Sequence, residues 1–288
     1  MVQYVIPVQP LQHDHKTQIS QHLLLLLTFG FSATAQSQPL QAGQIQNIVK
    51  IKIDGKPADW NPALRMHNSN TDVDYSITND DKNLYLMIQS KDGIINKKLF
   101  GGGVTLTLNG TGKFGGMDFV SLKYPIISNR SQTVLSELIN DEATEGDQKA
   151  KKKYADSILS LMNKTLIEGA KEIQVVGMKE ISDVLISVYN EYQIKAALQF
   201  QDKKTLTYEI AVPLKYLTAL TVNNNKIFFN VRLNGISTPR NTVVHQTSNG
   251  PVTVTGVPHG LLGSSLSDSG FQTMAYATDF WSEYAIKQ

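Results

Sequence analysis

The chain contains no cysteine. That excludes disulfides, thiolate metal sites, cysteine nucleophiles and a lipid-modified cysteine anchor. Net charge is nearly absent as well: 27 Lys and Arg against 25 Asp and Glu leave +2. Such a balance provides no electrostatic footprint for nucleic acid or for an anionic membrane. Long apolar runs are missing beyond residue 35, where no segment approaches the ~20 residues that a membrane helix needs. Tryptophan is scarce, with only Trp60 and Trp281.

Histidine is thin too. His13, His15 and His22 precede or border the one apolar run, leaving His67, His245 and His259 for the remainder. The motifs of common hydrolases are also missing: there is no H-E-x-x-H, and "GLLGSSLSDSG" does not make a G-x-S-x-G elbow. There is no Walker loop, and the glycines of "FGGGVTLTLNG" lead into a strand pattern rather than a helix. Asp and Glu are numerous enough for a glycosidase pair, yet spacing along the chain does not set the ~5–10 Å separation such a pair requires. The expectation is a non-enzymatic protein with no cofactor.

What is present begins with "HLLLLLTFGFSATAQSQP". Leu23 to Phe31 form a short apolar core, Lys16 lies upstream, and Ala33-Thr34-Ala35 follow as small residues. This is the layout of a secretory signal peptide over residues 1–35, with an A-x-A cleavage site, and it predicts a periplasmic or extracellular protein. A Gln-rich flexible segment, 36–47, precedes one expected domain at 48–288.

Period-two alternation dominates that domain: Val49, Ile51 and Ile53; Val73, Tyr75 and Ile77; Leu84, Leu86 and Ile88. Val104 to Leu108, Ile173 and Val175, Val184 to Val188, Ile194 to Phe200, Leu206 to Val212 and Ile227 to Leu233 continue it. Short alternating strands with polar turns predict an all-β fold, an antiparallel β-sandwich of jelly-roll type. One amphipathic helix is expected as an insertion near 146–169, with Tyr154, Ile158, Leu161, Met162 and Leu166 at helical spacing. A shorter helix is expected over Leu214 to Leu220. The run 235–272, rich in Gly, Ser, Thr, Asn and Pro, reads as a long surface loop.

The stretch "DVDYSITNDDKNLYLMIQSKDG" gathers aspartates and asparagines between two strand patterns. An EF-hand loop counted from Asn70 would need Gly where Tyr75 stands and Glu where Asp81 stands, so that motif is absent. Asn79 to Asn83 therefore read as hairpin punctuation. A sandwich-edge calcium site using Asp72, Asp74 or Asp92 stands as an alternative to solvated strand carboxylates.

The order "IDGKPADWN", "DYSITNDDKNLYLMIQSKD", "TYEIAVPLKYL", "TDFWSEYAIK" resembles the family 9 carbohydrate-binding-module-like sandwiches. It is most similar to an exported group from Bacteroidetes-type bacteria. The correspondence runs through Asp54-Gly55, Asp59-Trp60, Asn79-Asp80, Asn83-Leu84-Tyr85-Leu86 and Tyr208 to Leu214. It implies a non-catalytic module whose partner is a glycan or another component of the cell envelope; a structural or protein-interaction role is the alternative. Sugar-binding members hold a sugar between two tryptophans. Here Trp60 and Trp281 lie inside the architectural motifs and are expected to be buried, so no sugar-binding residue carries over. The recognition surface is expected instead in the loop 235–272, with Arg240, His245 and His259, and with Tyr276 just beyond it supplying an aromatic face. Related sandwiches bind haem through axial ligands; His245 with Met274 would be the pair here, but with three histidines beyond the leader haem is set aside in favour of the reading without a cofactor.

Overall fold

The computed structural model describes residues 50–113, 118–141, 145–221, 225–236, 243–245, 253–255 and 268–287. The expected leader 1–35 and the segment 36–47 lie outside these residues. In chain order the strands and helices are β1 (Met66–Asn68), β2 (Val73–Asn79), β3 (Asn83–Ser90), α1 (Gly93–Gly101), β4 (Val104–Asn109), β5 (Phe119–Tyr124), α2 (Asn129–Asn140) and α3 (Gln148–Gly169). They continue with β6 (Glu172–Val176), β7 (Leu185–Ser187), β8 (Lys195–Phe200), β9 (Leu206–Pro213), β10 (Lys226–Leu233), β11 (Val243–His245), β12 (Thr253–Thr255), α4 (Asp268–Ala275) and β13 (Thr278–Ala285).

Two antiparallel sheets form the sandwich. One has five strands in the order β1-β2-β3-β9-β8, and the other has six in the order β13-β10-β4-β5-β6-β7. Alternation explains the core: Tyr75 and Ile77 on β2, Leu86 and Ile88 on β3, and Leu106 and Leu108 on β4 all turn inward and are buried. Aromatic rings bridge the sheets. Tyr75 meets Phe280 of β13 at 4.8 Å between ring centroids and Phe229 of β10 at 6.3 Å, and Tyr208 of β9 lies 6.0 Å from Tyr124 of β5.

The helix expected near 146–169 is α3. Asp147 caps it by accepting from the Ala150 amide at 2.8 Å. Ile158, Met162 and Leu166 are its buried stripe, whereas Tyr154 and Leu161, expected on the same face, are exposed. Asn163 fixes the helix to the edge strand β8: its amide donates to the Phe200 carbonyl at 2.9 Å and its oxygen accepts from the Phe200 amide at 2.8 Å. One side chain thus satisfies the free backbone groups of an edge position.

Several local expectations change. Ile51 and Ile53 are not in a strand; they pack on the outer side of the five-stranded sheet. The segment Leu214 to Leu220 is two 3-10 turns, Leu214–Tyr216 and Thr218–Leu220. The run 235–272, expected as one loop, contains the pair β11-β12 and most of α4.

Candidate functional site

The two outer faces of the sandwich differ in what covers them. On the five-stranded sheet, Tyr85, Met87 and Ala211 turn outward and form a second small core with Trp60, Ile51 and Ile53. Glu209, also outward and fully buried, anchors this cover. Its Oε2 accepts from the amides of Asp54 and Gly55 at 2.9 and 2.6 Å, and its Oε1 accepts from the Trp60 indole at 2.6 Å. Gly55 adopts φ +79°, and a Cβ there would sit 2.6 Å from the Cβ of Gln199, so only glycine brings this amide to the carboxylate. Burial pushes the Glu209 carboxyl up, and the three donors offset this only in part. The Asp54 and Gly55 amides and the Trp60 indole of one sequence stretch and the Glu209 carboxylate of another are therefore one hydrogen-bonded unit with a holding role.

The asparagines and aspartates of the β2-β3 turn are likewise engaged by the backbone. Asp80 accepts from the amides of Lys82 and Asn83 at 2.8 and 2.7 Å and from the Tyr85 hydroxyl at 2.6 Å. Partial burial works against its ionisation, but these donors and the Lys82 charge hold its carboxyl below the ordinary value. Asn79 accepts from the Tyr284 hydroxyl and the Lys287 amide, tying the end of the chain to the hairpin.

Of the three aspartates considered for calcium, Asp92 caps α1, accepting from the amides of Ile94 and Ile95. Asp72 and Asp74 instead flank His67, with Nδ1 at 3.0 Å from Asp74 and Nε2 at 3.8 Å from Asp72. Among the described residues no group of three or more His, Asp or Glu is placed to hold a metal ion.

The outer face of the six-stranded sheet is built differently. Strand register places its outward side chains in rows that cross the sheet. One row reads Val176, Ser121, Thr107, Asn230 and Trp281. A second reads Gln174, Lys123, Thr105, Arg232 and Asp279. A third reads Phe119, Asn109, Phe228 and Glu283. The face thus mixes hydroxyls, amides, charges and aromatic rings where the inner face is apolar. Trp281 is half-buried on this face; its neighbour Phe280 is the residue turned into the core. The expectation of two buried tryptophans holds for Trp60, 6% exposed, and not for Trp281.

Beside Trp281, Asn230 is fully buried. Its amide donates to Asp279 at 2.8 Å and to the Phe280 carbonyl at 3.0 Å, while its Oδ1 has no partner among the described residues. An acceptor held in place without a donor costs free energy unless something else supplies one.

Arg232 and Lys123 stand in the outward row, whereas Thr278, opposite Leu233, has the parity of the core-facing Phe280. Lys98 of α1 is fully buried and donates to Thr278 Oγ1 at 2.9 Å. Burial, joined by the Arg232 guanidinium, brings its ammonium down to about 8. Asn234 orders this end of the sheet, donating to the Gly103 carbonyl and to Thr105 Oγ1, both at 2.9 Å.

Of the recognition residues expected from sequence, Arg240 and His259 lie outside the described residues, and for His245 only the β11 backbone, paired with Thr253, is described. Tyr276 is 69% exposed, at the end of α4 and two residues before the Thr278 that holds Lys98. Met274, which the set-aside haem alternative would pair with His245, is buried. Sequence reasoning missed Asn230, Arg232 and Trp281 as a group on one face. The available signal was parity: in "KIFFNVRL" the polar residues Asn230 and Arg232 fall on the opposite side from Phe229 and Val231. No family model matches the chain, and no curated protein matches it.

Proposed function

We propose that the protein is an exported, non-catalytic binding module that takes a glycan of the cell envelope on the outer face of its six-stranded sheet. The observation that carries this reading is the Asn230-Trp281 pair: an aromatic ring directly across the strand pairing from a buried amide whose acceptor oxygen has no partner among the described residues. Sugars are held by a ring face together with fixed hydrogen-bonding groups, and a β-sheet presents both without needing loop order. The opposite outer face supports the choice by exclusion, since residues 51–60 already occupy it. Export rests on the Leu23–Phe31 run and the Ala33-Thr34-Ala35 site. N-terminal sequencing of the natively produced protein should begin at Gln36, and an intact leader on a cytoplasmic protein contradicts export.

A glycan array tests the ligand class. Binding to at least one envelope polysaccharide is expected, and it should survive deletion of 246–252, between the two short strands. A second reading is a protein-interaction role, and the β6-β7 edge favours it: Val176, Val184, Leu185 and Tyr189 are all exposed there. Silence across the array transfers the assignment to that reading.

A further inference from the structure

We propose that the edge strand β7 pairs with the β7 of a second copy of this chain, about a two-fold axis at Leu185, to give a symmetric dimer. This goes beyond the glycan reading above and does not depend on it. The Val175 amide donates to the Val184 carbonyl, and the Val188 amide to the Lys171 carbonyl. Both bonds join directly opposed residues, so Val184, Ile186 and Val188 turn their backbone groups toward β6. Leu185 and Ser187 alternate with them, and their amides and carbonyls point off the end of the sheet. Neither the Leu185 amide nor its carbonyl has a partner among the described residues.

Such an edge is ordinarily blocked by a charge, a proline or a covering side chain. On β8, an edge of the other sheet, Asn163 takes both backbone groups of Phe200. Residues 184–189, Val-Leu-Ile-Ser-Val-Tyr, contain neither a charge nor a proline. Val184 and Leu185 are 55% and 50% exposed. An apolar edge of this kind is a site for strand addition.

Three features select a second copy as the occupant. A residue with both backbone groups facing outward is its own complement: across a two-fold axis, each Leu185 amide meets the other Leu185 carbonyl. That register sets Val184 beside Ile186 of the second copy. Both have core-facing parity, so the apolar row Leu122, Val175 and Val184 runs on into Ile186 and Ile173 of the second copy. On the outward side Leu185 meets Leu185, and Asp183 falls opposite Ser187, so no like charges are opposed. Asn190, donating to the Ser187 carbonyl at 2.7 Å, ends the pairing there. The two six-stranded sheets become one, with both outer faces on the same side, where a repeating polymer meets two copies at once.

Sedimentation of the natively processed protein over a concentration series tests this, beside two single-cysteine variants that read cleanly because the chain has no cysteine of its own. A monomer–dimer equilibrium is expected. Leu185→Lys, at an exposed position, should weaken the dimer at least ~10-fold by setting two ammonium groups on the axis, with the Tm unchanged. Leu185→Cys treated with a short bis-maleimide should give a covalent dimer, since such opposed residues have Cα atoms about 5.5 Å apart. Tyr189→Cys, more exposed at 85% but four residues from the axis, would stand more than ~20 Å from its counterpart and should stay single. A single monomer species up to ~1 mM, a dimer that Leu185→Lys leaves intact, or equal crosslinking of the two cysteine variants would each overturn the proposal.

Discussion

Glu209 and Lys98 are both fully buried ionisable side chains, and their surroundings set opposite roles. Glu209 has three donors, so its removal strands Asp54 N, Gly55 N and the Trp60 indole under the 51–60 cover. Glu209→Ala should cost about 3 kcal/mol in denaturant unfolding and make the chain near residue 55 sensitive to protease.

The pH dependence has a definite sign. The folded-state pKa of Glu209 lies above its ordinary value, so the folded state binds the proton more tightly. Its contribution to stability is present below the unfolded pKa and is lost as pH rises through the raised one. Relative to Glu209→Gln, wild type should therefore gain stability as pH falls through that window.

Lys98 runs the other way. Its folded pKa of about 8 lies below the ordinary 10.5, so the buried charge destabilises fully below 8 and ceases to do so as pH rises toward 10.5. Lys98→Met should raise the Tm at pH 7 and lose that advantage above pH 10. A Tm at pH 7 that falls on this substitution would show that the ammonium has an anionic partner inside the protein.

At the scale of elements, the edges of the sheets and the helices laid on them decide stability. Asn163 makes two hydrogen bonds to the Phe200 backbone on β8. Asn163→Ala should cost roughly 1–3 kcal/mol and raise aggregation, because the freed groups sit on a sheet edge. Asn163→Asp, which keeps the acceptor and loses the donor, should fall between the two; identical stability of all three proteins would remove the clamp from the account.

Strands β2, β3, β4 and β9 and helix α3 were legible because one side of each is apolar and the period shows. Helix α1 was not: Ile95 to Phe100 are buried all round it, two lysines included, so no stripe emerges, and its one sequence mark is the Asp92 cap. Helix α2 hides for a different reason, since its buried positions include Gln132 and Ser136 beside Leu135. Ile51 and Ile53 alternate like a strand because they cover a sheet, and covering needs the same period as pairing.

For the whole molecule, what matters is that the sandwich has one outer face closed by residues 51–60 and one that carries Trp281, Asn230, Arg232 and Lys123. The fold class was readable from alternation and turns alone. The face was not, because the polar residues that line it are indistinguishable in sequence from ordinary solvated strand positions until register places them side by side.

Trp281 is the residue on which the account turns, being outward on a paired strand and outside the core. The most direct measurement is calorimetric affinity of Trp281→Ala for the strongest glycan found on the array, beside its thermal midpoint. Affinity should be at least ~10-fold weaker, with the Tm held within a few degrees. Unchanged affinity in a folded Trp281→Ala protein would contradict the placement of the working surface on this face.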